Sequence, residues 1–215
     1  MSPPGRQPLR LAVLISGRGS NMVAIGKACA SGAINARIAI VISDQPQAAG
    51  LERARELGLA TRSVDFAAFR GPQGPDRTAF ETALRAAIDA ATPDLVVLAG
   101  FMRVLSADFV HHYEGRLLNI HPSLLPAYKG LHTHARVLAA GEREHGASVH
   151  YVTAELDGGP VVLQGRVPVL PGDDVGRLSA RVNELEWTLY PTVIGWIADG
   201  SLRWTPQGPV RSDAT

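Results

Sequence analysis

The chain has 215 residues, of which 46% are hydrophobic and 19% are charged, and its formal net charge is +1. This composition indicates a globular protein with one sizeable core and excludes a disordered chain. A charge so close to zero, without a lysine- or arginine-rich run, does not favour nucleic acid or a membrane surface as a partner. The single cysteine, Cys29, cannot form an internal disulfide, which agrees with a reducing cytoplasm.

The first apolar segment, residues 9–15, is too short for a signal-peptide core or a membrane span and is predicted to be a buried strand. Both ends of the chain are rich in proline, glycine and polar residues. We therefore expect residues 1–8 and about 206–215 to be mobile tails of a single domain that spans residues 1–215.

A glycine loop, SGRGSN at residues 16–21, follows the first strand and leads into a helix that begins near Asn21. The free amides of the first helical turn and the helix dipole make such a loop an anion site. Met22 occupies the place of the third glycine of a dinucleotide fingerprint, and a P-loop lysine is absent. The loop therefore favours a phosphomonoester, and a plain tight turn is the alternative.

The next elements are predicted to be strands at residues 36–43 and 61–64 and helices at 48–57 and 76–91. Asp76 is the expected N-cap of the last helix, whose core-facing residues are Phe80, Leu84 and Ile88. Arg77 lies in the first turn, against the preference of the helix dipole. It is either held there by a ligand anion or is an ordinary solvated arginine.

A buried central strand is predicted at residues 95–99, followed by a short helix at 106–113 and a strand at 117–121. This alternation indicates an α/β fold, a single-domain doubly wound and mostly parallel sheet. Gly19, Met102 and His121 each follow a strand end. We expect them to converge at the carboxyl edge, where such sheets bind ligands.

The last third of the chain predicts an antiparallel portion of the sheet, from strands at residues 148–152 and 161–169. A long C-terminal helix is expected from Asp174 onward, with a buried stripe of Val175, Leu178, Val182, Leu185 and Leu189. Pro191 is expected to kink or split this helix. Glu186 lies beside the stripe and either reaches inward or remains solvated.

Asn119 and His121 are two residues apart on a predicted strand and so share one face, and Pro122 restricts the backbone after them. Histidine transfers protons near neutral pH, and an asparagine N–H can bind an oxyanion. Asp157, between a leucine and two glycines, could orient the imidazole or pass a proton.

The sequence contains no nucleophilic serine elbow, no reactive-cysteine context and no Cys/His zinc spacing. The pattern therefore predicts direct attack by a substrate nucleophile on a carbonyl-type carbon, without a metal or a covalent enzyme intermediate. A polar pair at a frayed strand end is the alternative interpretation.

Five segments together resemble the folate-dependent formyltransferases, in order along about residues 10–202. They are SGRGSN at 16–21, LAGFMR at 98–103, LNIHPSLLP at 118–126, GLHTH at 130–134 and ELDGGP at 155–160. The resemblance is to the members that formylate the amine of 5′-phosphoribosylglycinamide in purine biosynthesis. It implies 10-formyltetrahydrofolate as the donor, small-molecule substrates only, and a cytoplasmic monomer or homodimer.

The resemblance also implies residue roles. Asn119 and protonated His121 would stabilise the tetrahedral oxyanion, while Asp157 holds the histidine and relays the proton of the amine. The residues implied to bind the phosphate of the acceptor are Gly19, Ser20 and Asn21, and Glu186 is implied to bind the other end of the acceptor. The implied folate-binding set is Arg77, Met102, Arg103, Val104, Leu105, Asn119, Thr153, Ala154, Glu155, Leu156 and Asp157.

Two positions depart from the family pattern: Lys129 stands where a proline is expected, and Ala127 where a basic residue is common. The nearest alternative is a formyltetrahydrofolate hydrolase, which usually has an extra N-terminal domain. A methionyl-tRNA formyltransferase would need a C-terminal RNA-binding domain. A non-catalytic folate-binding protein and a nicotinamide-dependent oxidoreductase are the remaining alternatives.

Overall fold

The structure, a computed structural model, describes residues 7–71 and 74–212. The strands are β1 Leu9–Ile15, β2 Ala36–Ser43, β3 Thr61–Ser63, β4 Arg70–Gly71, β5 Gly74–Pro75, β6 Leu95–Leu98, β7 Leu117–His121, β8 Glu144–Tyr151, β9 Val161–Pro168, β10 Leu202–Thr205 and β11 Gly208–Arg211. The helices are α1 Ser20–Ala30, α2 Ala49–Glu56, α3 Arg77–Asp89, α4 Ala107–His112, α5 Thr133–Ala139 and α6 Val175–Asp199, with a 3-10 turn at Phe66–Ala68.

Seven strands form the main sheet, in the order β3-β2-β1-β6-β7-β8-β9. In this order the neighbouring strands β3, β2, β1, β6 and β7 pair in parallel, and β8 is antiparallel to both of its neighbours, β7 and β9. This confirms the predicted mostly parallel sheet with an antiparallel C-terminal portion. The chain winds outward from β1 to β3 and then returns to β6 on the other side of β1. The switch point, where ligands bind in such sheets, therefore lies at the carboxyl ends of β1 and β6.

Helices cover both faces of the sheet, as expected for a doubly wound fold. One core contains apolar side chains of α1, α5 and α6, and the other contains those of α3 and α4. Phe80, Leu84 and Ile88 of α3 are buried as predicted. Asp76 accepts a 2.9 Å hydrogen bond from the Ala79 amide and so confirms the predicted N-cap.

The C-terminal helix α6 runs without interruption through Pro191 and is not split there. The hydroxyl of Tyr190 lies 3.0 Å from the carbonyl oxygens of both Leu98 and Leu118. Because residues four apart share a helix face, Glu186 points towards the same region of the sheet. In the predicted stripe Leu178, Val182 and Leu189 are buried and Leu185 is partly buried, whereas Val175 is 49% exposed in the first turn.

The predicted C-terminal tail is wrong at residues 208–211, because β11 pairs with β10 in an antiparallel hairpin. Trp204 of this hairpin packs against Tyr151, with 4.8 Å between ring centroids. A Cβ at Gly115 would lie 2.4 Å from the Trp204 ring, so the hairpin requires glycine there. Residues 1–6 and 213–215 of the predicted tails lie outside the described part. Within that part, no helix is long and apolar enough to cross a membrane.

Candidate active site

The structure brings His121 and Asp157 together, although they are far apart in sequence. His121 is the last residue of β7, and Asp157 lies in the loop after β8. The Nδ1 atom of His121 is 3.4 Å from Oδ2 of Asp157, and each side chain is 8% exposed. Asn119 is on the same strand as His121 and is partly exposed. His150 links Asn119 to this pair, since its Nε2 atom is 3.2 Å from Nδ2 of Asn119 and 3.8 Å from Oδ1 of Asp157. The three predicted catalytic residues therefore form one cluster, of which Asn119 is the most exposed member.

Backbone contacts define the orientation of the His121 imidazole. Its Nε2 atom is 3.0 Å from the carbonyl oxygen of Tyr128. A carbonyl oxygen can only accept, so Nε2 carries a proton and donates it. The other ring nitrogen faces Asp157. This geometry suits a protonated imidazole paired with a carboxylate.

Asp157 is held by a strained turn and by a backbone donor. Its φ is 47°, a left-handed conformation that costs a non-glycine residue about 1–2 kcal/mol. Oδ2 accepts a 2.9 Å hydrogen bond from the amide of Gly130. A Cβ at Gly159 would lie 1.8 Å from the carbonyl oxygen of Tyr151. Glycine at position 159 therefore lets the loop turn back and bring Asp157 to the histidine.

His150 is a member of the cluster that the sequence did not predict. It lies opposite Asn119 in the β7–β8 ladder, and its Nε2 atom is 3.2 Å from Nδ2 of Asn119. Its Nδ1 atom is 2.9 Å from the carbonyl oxygen of Tyr151 and must be the donor. Burial lowers the pKa of His150, so the neutral ring presents a lone pair to Asn119. Finding this contact requires the antiparallel register, which the sequence alone did not provide.

The predicted phosphate-binding residues also come together. Gly19 is the N-cap of α1, has φ 70° and offers no side chain to the free amides of the first turn. A Cβ there would lie 3.0 Å from Gly50 of α2, so the loop is closely packed. Because no side chain caps the first turn, the amides of Ser20, Asn21 and Met22 are available to an anion.

Asn21 connects this loop to the C-terminal helix. Its Nδ2 atom donates a 2.8 Å hydrogen bond to Oε2 of Glu186, and both side chains are buried. Burial raises the pKa of Glu186 to about 7, although the hydrogen bond from Asn21 opposes this shift. The Oδ1 atom of Asn21 is buried and has no hydrogen-bond partner among the described residues. The pair therefore offers an acceptor and a titratable carboxyl beside the amides of α1.

Some of the predicted folate-binding residues line a separate pocket of about 200 Å³. Its lining consists of Phe66, Arg77, Phe80, Glu81, Met102, Arg103 and Val104. Arg103 is paired with Asp44 at 2.5 Å and stacks 4.0 Å from the centre of the Phe66 ring. Arg77 donates a 2.5 Å hydrogen bond to the carbonyl oxygen of Val104. Two cations and aromatic surface thus face one small cavity.

The other predicted folate-binding residues do not line that pocket. Leu105 is partly buried, and residues 153–156 belong to the loop that leads to Asp157. Within this loop Leu156 is 53% exposed, and across the site Met102 and Val104 are 65% and 60% exposed. Exposed apolar side chains are therefore available beside the polar cluster. Among residues 7–71 and 74–212, no group of three or more His, Cys, Asp or Glu could hold a metal ion.

Comparisons with known proteins extend over nearly the whole chain. Residues 9–194 match the family described as Formyl transferase. Phosphoribosylglycinamide formyltransferase of Escherichia coli K12 is 53% identical over 195 residues, which cover 91% of this chain and 90% of that protein.

Two solved structures share both sequence and fold with this chain. Phosphoribosylglycinamide formyltransferase from Coxiella burnetii, in complex with CHES, is 47% identical with a TM-score of 0.88, covering 95% of this chain and 93% of that one. Glycinamide ribonucleotide transformylase 1 from Symbiobacterium toebii is 43% identical with a TM-score of 0.90, covering 96% and 95%.

Proposed function

The chain belongs to the formyl transferase family, and we propose that it transfers a formyl group from 10-formyltetrahydrofolate to the amine of 5′-phosphoribosylglycinamide, a step of purine (IMP) biosynthesis. The observation that carries the proposal is the convergence of Asn119, His121 and Asp157 in one cluster. The relatives described above are named for this same reaction.

The amine of the acceptor attacks the formyl carbon, and the carbonyl electron pair moves to oxygen. An N–H of Asn119 donates a hydrogen bond to this oxyanion, and the positive charge of the protonated His121 imidazole stabilises it electrostatically. Asp157 accepts a proton from the amine, directly or through water, and keeps the imidazole in place. Collapse of the intermediate breaks the bond to N10 of the folate, which leaves with a proton as tetrahydrofolate.

The glycine loop at residues 16–21, here called the α1 loop, holds the phosphate of the acceptor. Amides of the first helical turn point at the anion, and the helix dipole adds to their attraction. Glu186 and the unpaired oxygen of Asn21 bind the hydroxyl groups of the ribose. A phosphate at Gly19 and Ser20 therefore directs the other end of the acceptor towards the cluster.

The donor lies along residues 102–105 and 153–157, with its ring system against exposed apolar side chains. The glutamate tail of the donor carries carboxylates, and guanidinium groups such as those of Arg77 and Arg103 bind carboxylates well. The pocket between them has room for only part of the donor. We expect a cytoplasmic enzyme that acts on small molecules as a monomer or homodimer.

The test is to incubate the purified protein with 10-formyltetrahydrofolate, with and without 5′-phosphoribosylglycinamide, and to follow tetrahydrofolate release. We expect release only when the amine is present, in amounts equal to the formylated product. Release without the amine would overturn the proposal in favour of a hydrolase. No release under either condition would also overturn it.

A further inference from the structure

Residues 128–130, here called the bridging segment, contact the catalytic cluster through their first and last residues. The Tyr128 carbonyl oxygen is 3.0 Å from Nε2 of His121. The Gly130 amide donates a 2.9 Å hydrogen bond to Asp157. Any movement of this segment therefore changes the surroundings of the histidine and the aspartate together.

Lys129, between these two contacts, reaches across to the loop at residues 153–157. Its Nζ atom is 2.7 Å from Oε1 of Glu155, and the lysine and glutamate side chains are 34% and 70% exposed. Along the described chain, this ion pair and the bond from Gly130 to Asp157 are the polar contacts that join the bridging segment to that loop.

The other contacts of the bridging segment lead away from that loop. Arg136 of α5 donates a 2.7 Å hydrogen bond to the Lys129 carbonyl oxygen and lies 5.3 Å from the centre of the Tyr128 ring. The Tyr128 hydroxyl donates a 2.7 Å hydrogen bond to Glu142. These contacts tie the segment to α5 and the residues after it, and none of them involves the loop at residues 153–157.

Backbone strain adds to the need for an anchor. Tyr128 has φ 57°, a left-handed conformation that a tyrosine rarely adopts without support from its surroundings. An ion pair one residue later supplies such support on the side that faces Asp157.

We propose that Lys129 and Glu155 are positioning residues, an electrostatic clasp that holds the bridging segment against His121 and Asp157. The clasp itself stands on the geometry alone, while its effect on catalysis rests on the proposed function. Opposite charges on two separate loops favour the arrangement in which the bridging segment lies against His121 and Asp157, here called the closed arrangement. Because the pair is largely exposed, we expect it to shift the closing equilibrium by about two- to fivefold, less at high salt.

The first experiment measures amide hydrogen exchange at Gly130 in the substrate-free, full-length protein. We expect Lys129→Met and Glu155→Gln each to raise the exchange rate about two- to fivefold. Glu155 is remote in sequence, so its substitution leaves the intrinsic exchange rate of Gly130 unchanged. The double variant should exchange no faster than either single variant, and the swap Lys129→Glu with Glu155→Lys should restore protection.

The matched control is Arg166→Met. It removes another exposed ion pair of the same length, the 2.7 Å contact between Arg166 of β9 and Glu144 of β8. Exchange at Gly130 should not change in this variant. Unchanged exchange in Lys129→Met, or strictly additive effects of the two substitutions without rescue by the swap, would overturn the clasp.

The second experiment measures formyl transfer in the same variants. We expect kcat to fall about two- to fivefold in both single variants, with an unchanged KM for the phosphorylated acceptor, since the α1 loop is not altered. Added salt should lower the kcat of the unsubstituted protein towards the kcat of Lys129→Met, and it should leave the kcat of Lys129→Met unchanged. Altered exchange with unaltered kcat would overturn the catalytic part of the proposal. If the substitutions raise the exchange rate of Gly130 but the protein has no transferase activity, the clasp is retained and the proposed function is refuted.

Discussion

Asn21 donates a 2.8 Å hydrogen bond to Glu186, which joins the first helix of the chain to the last in a buried contact. The carboxyl is buried against the sheet, where water cannot solvate its charge, so its pKa rises to about 7. The titration of this buried carboxyl therefore makes stability depend on pH.

Glu186→Gln should stabilise the ligand-free protein at alkaline pH. The pKa of Glu186 is higher in the folded than in the unfolded protein, so its contribution to stability is greatest at low pH and is lost as pH rises through about 7. We expect the variant to gain about 1–3 kcal/mol in free energy of unfolding at pH 8.5 and much less at pH 5. Denaturant unfolding at both pH values measures this difference, with the exposed Glu184→Gln on the same helix as control. An equal effect at both pH values would contradict the account.

His121→Ala and Asp157→Asn should each nearly abolish formyl transfer and leave acceptor binding largely intact. The expected loss is about 10²–10⁴-fold in kcat, the range typical of a positioned acid or base. Steady-state kinetics and a direct binding titration with 5′-phosphoribosylglycinamide separate the two effects. Full turnover in both variants would refute the assigned roles.

His150→Leu should lower kcat because Asn119 loses the acceptor that orients its amide. We expect about a 10-fold loss, since the catalytic groups themselves remain in place. In an Asn119→Ala background the same substitution should cost almost nothing more, which a double-mutant cycle measures. Two fully additive losses would show that His150 acts independently of Asn119.

Acidification should destabilise the protein through a second buried histidine. Burial, together with the nearby His134 and His121, lowers the pKa of His145 to about 4. Because the unfolded chain binds the proton more readily, His145 lowers stability progressively as pH falls from about 6.5 towards 4. His145→Asn should flatten the dependence of unfolding free energy on pH in this window. An unchanged slope of unfolding free energy against pH in His145→Asn would argue against assigning this pH dependence to His145.

The rate of formyl transfer should also fall on acidification. More of the amine nucleophile is then protonated, so its lone pair is not available to attack the formyl carbon. A pH–rate profile of kcat/KM checks this, with stability measured separately so that unfolding is not mistaken for titration. A profile that stays flat on the acid side would contradict the mechanism.

The order of strands and helices could be predicted because each buried strand is a short apolar run between polar turns. The N-cap at Asp76 and the inward turn of Glu186 also follow local patterns, and the structure agrees with the first and resolves the second in favour of burial. The β10–β11 hairpin was missed because Pro206, Gly208 and Pro209 interrupt its turn and second strand. Its packing depends on Trp204 meeting Tyr151, a contact between distant segments.

The site shows the same limit of sequence patterns. Motifs singled out Asn119, His121 and Asp157 as candidates, because the first two lie at the end of a predicted strand and the third precedes two glycines. His150 could not be assigned, because its role depends on the register that places it opposite Asn119. Lys129 was visible only as a departure from the family pattern, and its partner Glu155 becomes evident only when two loops meet.

The most direct test of the central claim is a single-turnover reaction with donor labelled at the formyl carbon, followed by NMR. Our account predicts that the label moves from N10 of the folate to the amide nitrogen of the acceptor, and that Asp157→Asn prevents this transfer. Label appearing as formate, or transfer at an undiminished rate in Asp157→Asn, would contradict it.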